Sequence, residues 1–136
     1  MTERIPTDRE LEALKVLWRR EEATVREICE EMNRDGQNLA YTTVLSLLQV
    51  MEQKGLVGHR RDGKAYVYFA GVNRDRTFRM LADRFLDDVF DGAMDEYLVH
   101  ALHARSVTLE ELDRLQEMIS EARDRLRRRR KKGGGE

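Results

Sequence analysis

Apolar residues in the N-terminal half recur at helical spacing, and the recurrences begin behind a threonine. Thr7, Thr24 and Thr108 each stand three positions before a glutamate (Glu10, Glu27 and Glu111). In that spacing the hydroxyl accepts a bond from a free backbone N–H, and the glutamate reaches back to the cap's own amide. A first helix is predicted from about Asp8 to Arg20, with Leu11, Leu14, Leu17 and Trp18 inside. A short second helix, Val25 to Met32, buries Val25, Ile28, Cys29 and Met32 and stops at the polar turn Asn33-Arg34-Asp35-Gly36. A third runs from about Ala40 to Lys54 on an inner stripe of Tyr41, Val44, Leu45, Leu48 and Met51, with Gly55 placed for a left-handed C-cap. The pattern then shortens. Leu56 to Arg60 and Ala65 to Phe69 flank a turn at Asp62-Gly63, a strong hairpin signal.

Behind Asn73 the helical period returns. Phe78, Leu81, Phe85, Leu86 and Val89 form one stripe, broken near Gly92. Met94, Tyr97, Leu98, Ala101 and Leu102 form a second. Leu112, Leu115, Ile119, Ala122 and Leu126 form a third, spaced 3, 4, 3 and 4, the seam of a helix that packs on a partner helix. Phe78, Leu81, Phe85, Val89, Leu98, Leu102, Leu112, Leu115 and Ile119 are therefore the expected dimerisation residues. The expected fold is mainly α with a small β-hairpin wing: a winged helix-turn-helix domain over 1–73, a helical dimerisation segment over 74–126, and a frayed basic tail over 127–136. No internal repeat is present.

Composition narrows the function. With 136 residues, 38% of them charged, the chain can bury only a thin core, which a second subunit would complete. A net charge of -1 says nothing of nucleic acid, but the balance is local. Residues 1–37 carry net -3, 38–73 net +2, 74–126 net -5 and 127–136 net +5. The single cysteine, Cys29, excludes an intramolecular disulfide and a cysteine-built zinc site. No run has the length of a membrane span and no signal peptide is legible, so the cytoplasm is the default compartment and no membrane insertion is expected.

Chemistry concentrates on the third helix. Gln37 to Met51 is fifteen residues without a charge. Its outer face carries Thr42, Thr43, Ser46, Gln49 and Gln53, where a surface helix normally carries Lys and Glu. Such a face suits a helix entering the major groove, where hydroxyls and amides contact base edges and no carboxylate repels phosphate. The competing reading is a helix buried against another helix. Arg60, Arg61 and Lys64 cluster at the hairpin, with Tyr66 and Tyr68 on the returning strand; they are either phosphate contacts or a solvated turn.

Two rival functions compete with DNA binding. For an enzyme, the chain lacks a glycine-rich phosphate loop, a nucleophile elbow and an HExxH pair, and no cofactor is expected. Glu96, His100 and His103 share one helical face and zinc-ligand chemistry, but histidines beside acids are commoner as plain surface. The other rival is a protein-interaction winged-helix module without DNA binding, which acidic groups on the outer face of the third helix would favour; only Glu52 is there.

The run LAYTTVLSLLQVMEQKGLVGHRRDGKAYVYFAGV (Leu39–Val72), preceded by PTDRELEALKVLW, resembles the BlaI/MecI family of penicillinase repressors. The resemblance extends to about Ile119. It implies a homodimeric transcriptional repressor on a palindromic double-stranded DNA operator, with a three-helix dimerisation segment. It assigns DNA contacts to Ala40, Thr42, Thr43, Ser46 and the basic wing, to which the residue pattern adds Gln49. In the best-known members a membrane-bound sensor protease signals cleavage of an Asn–Phe bond. The matching position here is His100-Ala101, a departure, and the cysteine-rich metal motif of a copper-responsive branch is absent.

Overall fold

The computed structural model describes residues 5–133. By their contacts they form two compact units that meet in sequence between Phe85 and Leu86, inside a helix.

The first unit runs α1 (Asp8–Arg20), β1 (Glu22–Thr24), α2 (Val25–Met32), α3 (Tyr41–Gln53), β2 (Val57–Asp62), β3 (Ala65–Ala70) and the start of α4 (Arg74–Phe90). Both expected capping boxes are present. Thr7 Oγ1 accepts from the Glu10 amide and Thr24 Oγ1 from the Glu27 amide, while each glutamate accepts from its cap's N–H. At the other end of α3, Gly55 adopts φ +81°. Its amide bonds Glu52 O and the Leu56 amide bonds Met51 O, the paired bonds of a Schellman motif.

β3 lies between β1 and β2, antiparallel to both. The hairpin matches expectation, with one shift. Asp62 pairs with Ala65, so the two loop residues are Gly63 and Lys64 rather than Asp62 and Gly63. Only Gly63 has positive φ (+64°), as at the first central position of a type II′ turn. Gly58, opposite Phe69, leaves room for that ring: a Cβ there would stand 2.7 Å from Phe69 Cζ.

β1 is the element sequence patterning misses. Three residues are too few to show a period, and the strand exists because Glu22, Ala23 and Thr24 pair with Phe69, Tyr68 and Val67. The core is Ala13, Leu14, Val16 and Leu17 of α1, Val25, Ile28 and Met32 of α2, Val44, Leu48 and Met51 of α3, with Ala23, Leu56, Val57 and Tyr68 closing it. Three helices backed by this sheet make a winged helix-turn-helix. α4 is fastened to it at its start: Trp18 Nε1 donates to Val72 O (3.1 Å), and its ring meets Phe78 edge-on at 5.6 Å.

The second unit holds the end of α4, α5 (Met94–Ala104) and α6 (Leu109–Lys132). The α4–α5 turn uses Asp91 and Gly92, both at positive φ. Phe90 packs against Tyr97 (5.7 Å) and the His100 ring (5.7 Å). Thr108 and Glu111 form the third capping box. Of the tail expected to be frayed over 127–136, Arg127 to Lys132 are the end of α6, and 134–136 lie outside the described residues. Arginine and lysine propagate helix well, and cations at a C-terminus offset its negative dipole end. No helix among the described residues is long and apolar enough to cross a membrane.

Candidate nucleic-acid interface

α3 is placed by the loop before it, which Asn33 organises. Its Oδ1 accepts from the Leu39 amide at 2.8 Å and its Nδ2 donates to Leu39 O at 3.0 Å. The Cys29 thiol also reaches Leu39 O (3.5 Å), and Gln37 Nε2 donates to Glu12 at 2.7 Å. Sequence reading takes Asn33 as a helix stop; its second task is to set where α3 begins. Lys54 fixes the other end through two bonds of 2.7 and 2.9 Å to the Glu10 carboxylate. Burial pushes that carboxyl up, but the Lys54 ammonium and the Thr7 amide and hydroxyl outweigh burial and hold it below the usual range.

Held in this way, α3 buries Val44, Leu48 and Met51 and presents Ala40, Thr42, Thr43, Ser46, Gln49 and Gln53 to solvent. Two apolar side chains join that face. Val50 is 48% exposed, and Tyr41, expected in the core stripe, is 50% exposed. Tyr41 is the first helical residue, one turn before Val44, the first residue of α3 in the core. Ala40 is the N-cap and has no side-chain acceptor, unlike Thr7, Thr24 and Thr108. The first amides of α3 therefore lack the cap that those three helices carry, a feature shared with α5.

The wing is basic at its surface, but its cations are not equivalent. Arg60 is engaged, donating from Nη2 (2.6 Å) and Nε (3.2 Å) to the Glu22 carboxylate on β1. That hydrogen-bonded guanidinium holds Glu22 below the usual carboxylate range. Arg61 lies over the Tyr66 ring at 5.5 Å, and Lys64 stands exposed in the turn. Tyr66 and Tyr68 share one strand face, yet only Tyr66 is exposed; Tyr68 sits deeper and is part of the core.

A shallow surface depression lined by Gln49, Glu52, Gln53, His59, Tyr66 and Tyr68 connects α3 to the wing. Within it, His59 Nδ1 and Glu52 Oε1 are 2.6 Å apart. The one carboxylate on the outer part of α3 is thus engaged with the wing. A second depression, lined by Arg9, Leu39, Thr43, Val44, Ser46, Leu47 and Val50, brings Arg9 beside the neutral face. Arg9 is the functional candidate sequence reading misses; on α1 it carries no local signal.

The expected dimerisation residues lie on α4, α5 and α6. Phe78, Leu81, Leu98 and Leu115 are half-buried, whereas Phe85, Val89, Leu102, Leu112 and Ile119 are exposed. Glu96, His100 and His103 fall on α5, but among the described residues no three metal-ligating side chains gather into a site. His103 Nδ1 turns instead to Val99 O (2.7 Å).

Comparison with known proteins identifies the family. Residues 6–121 match the family model described as penicillinase repressor. A transcriptional regulator BlaI of Mycobacterium tuberculosis is 32% identical over 84% of this chain and 82% of its own length. The penicillinase repressor of Bacillus licheniformis is 22% identical over 88% and 92%. The solution structure of the DNA-binding domain of the repressor BlaI aligns with a TM-score of 0.47 at 24% identity, covering 54% of this chain and 90% of that one. The chain belongs to the penicillinase repressor (BlaI/MecI) family.

Proposed function

We propose that the protein is a transcriptional repressor that binds a palindromic promoter operator as a homodimer. The observation that carries this reading is the outer face of α3: exposed, hydroxyl- and amide-bearing, and free of carboxylates from Gln37 to Met51. Thr42, Thr43, Ser46 and Gln49 read base edges in the major groove, with Val50 and Tyr41 available to thymine methyls. The exposed backbone at Ala40, with the uncapped first turn behind it, meets a phosphate. Arg61 and Lys64 contact phosphates beside the groove, and Arg60 joins them when it leaves Glu22. No carboxylate between Gln37 and Met51 faces the bases, which is why the interaction-module alternative fits this face less well.

The second copy docks on the stripes of α4, α5 and α6. Two related recognition helices then read half-sites spaced by about one or two helical turns. A membrane-bound sensor protease remains the inducing partner in this reading. Cleavage at His100-Ala101 would require the middle of α5 to unwind first.

Selection of full-length protein on a randomised duplex pool tests the proposal. An inverted repeat is the expected product, and Thr43→Ala or Ser46→Ala should weaken its binding more than binding to random duplex, whereas Arg61→Ala weakens both alike. A pool that yields no enriched sequence overturns it.

A further inference from the structure

The family match ends at residue 121, and the end of α6 beyond it is chemically unlike the rest of the chain. From Arg125 to Lys132, seven of eight residues are Arg or Lys, and Leu126 is the exception. All eight are helical and exposed. None of the seven cations lies within ion-pair distance of a carboxylate among the described residues, although Arg9, Arg19, Arg20, Lys54, Arg60 and Arg74 each do. At about 1.5 Å of rise per residue, this is one positive charge per ~1.7 Å of axis, close to the phosphate density of duplex DNA. Successive side chains turn by about 100° along a helix, so the charge of Arg127 to Lys132 surrounds the axis. Like charges so spaced weaken a helix unless a counter-charge lies against it.

We infer that the C-terminal end of α6, Arg125 to Lys132, is a second, sequence-independent contact for duplex DNA phosphates, separate from α3 and the wing. A lipid surface fits less well. A helix lying on a membrane needs an apolar side, and Arg125 to Lys132 offers only Leu126. The choice of DNA among polyanions rests on the repressor reading; the charge pattern itself does not. The site gives the repressor a hold on DNA flanking or bridging its operator without adding sequence preference.

The test is salt-dependent binding of the full-length chain to a random-sequence duplex, read by fluorescence anisotropy. Glutamine keeps helix propensity while removing charge, so the variant carries R127Q, R128Q, R129Q and R130Q together. Its slope of log K against log[salt] should be shallower by about 2–4, since each phosphate contact contributes about 0.9. Lysine at the same four positions should restore the wild-type slope. Operator discrimination, the affinity ratio of selected to random duplex, should be unchanged in both variants. An unchanged slope in the glutamine variant overturns the inference. So does wild-type binding to phosphatidylglycerol vesicles with a slope on duplex that the four substitutions do not alter. Failure of the repressor reading looks different: Thr43→Ala would leave discrimination untouched, whatever the α6 variants do.

Discussion

Both units are rich in helix, yet one buries its apolar residues and the other does not. In the first, Ala13, Leu14, Ile28, Val44, Leu48, Met51 and Leu56 have no exposed surface. In the second, no residue of α5 or α6 is buried, and Val89, Met94, Val99, Leu102, Leu109, Leu112, Met118, Ile119 and Leu126 remain exposed. The cause is geometric. Three helices crossing over a sheet enclose a volume, whereas α5 and the long α6 offer stripes with too little opposite them. Each large apolar side chain hidden from water is worth about 1.5–3 kcal/mol, so a second copy docked on these stripes, as proposed, would gain most of its stability from them. The first unit should therefore owe its stability to itself, and the second should owe it to association.

Leu48→Ala strikes the enclosed core and should show the largest effect. It removes a fully buried side chain from α3 and should cost about 2–5 kcal/mol in chemical denaturation. The loss should be the same at every protein concentration, and the same in a chain truncated after Phe85. A loss that grew on dilution would mean that the first unit also depends on a partner.

Leu115→Asp tests the other side. A charge in the seam of α6 should give a monomer by sedimentation and lower operator affinity by about 100-fold or more, because the second recognition domain is no longer tethered near its half-site. The thermal midpoint should also lose its dependence on protein concentration. A variant that stays dimeric would move the interface off α6. Truncation belongs after Phe85 rather than after Asn73, since Phe78 packs on Trp18 and Thr77 is buried, its hydroxyl donating to Asn73 O.

The difference between the units also decides what the sequence can tell. Elements of the first unit are legible because period, caps and turn residues agree: α1 and α2 have the expected bounds, and Gly55 closes α3 as its position implies. The features that escape are set by distant partners. β1 depends on β3, the exposure of Tyr41 on where the core begins, and the burial of Tyr68 on its depth under α3. The outer face of α3 is readable because lack of charge is a local property, whereas Arg9 beside it and Glu22 on Arg60 come from other elements. In the second unit the basic end of α6 is expected to fray, yet its residues to Lys132 are helical, and nothing in their local sequence beyond good helix propensity signals it.

Between the two extremes lies the Glu10–Lys54 pair, which ties α1 to α3 at the edge of the core. Lys54→Met should cost about 1–2 kcal/mol at neutral pH by leaving a buried carboxylate without its cation, tempered by the partial exposure of Lys54. Because the folded-state pKa of Glu10 is depressed, its contribution is complete above the unfolded value near 4.3 and is lost as pH falls through the lower folded value. Wild type and variant should therefore converge in stability only once the pH has fallen below that lowered folded value. Parallel denaturation curves across that window would show that Lys54 acts by packing alone.

The smallest expected effect is also the one that tests the wing most directly. Arg60 is held by Glu22 across the sheet, so of the three wing cations it is the one that must break an ion pair before it meets a phosphate. Glu22→Gln keeps the size of the side chain and removes the competing charge. DNA affinity should rise about two- to five-fold at low salt, with the gain fading as salt screens both interactions. The added positive charge per subunit would by itself strengthen binding, so the decisive comparison is a double-mutant cycle. In an Arg60→Ala background, Glu22→Gln should lose most of its effect if it acts by releasing Arg60, and should keep it if it acts through net charge. Full retention would leave Arg60 a structural link between β1 and β2 and assign phosphate contact to Arg61 and Lys64 alone.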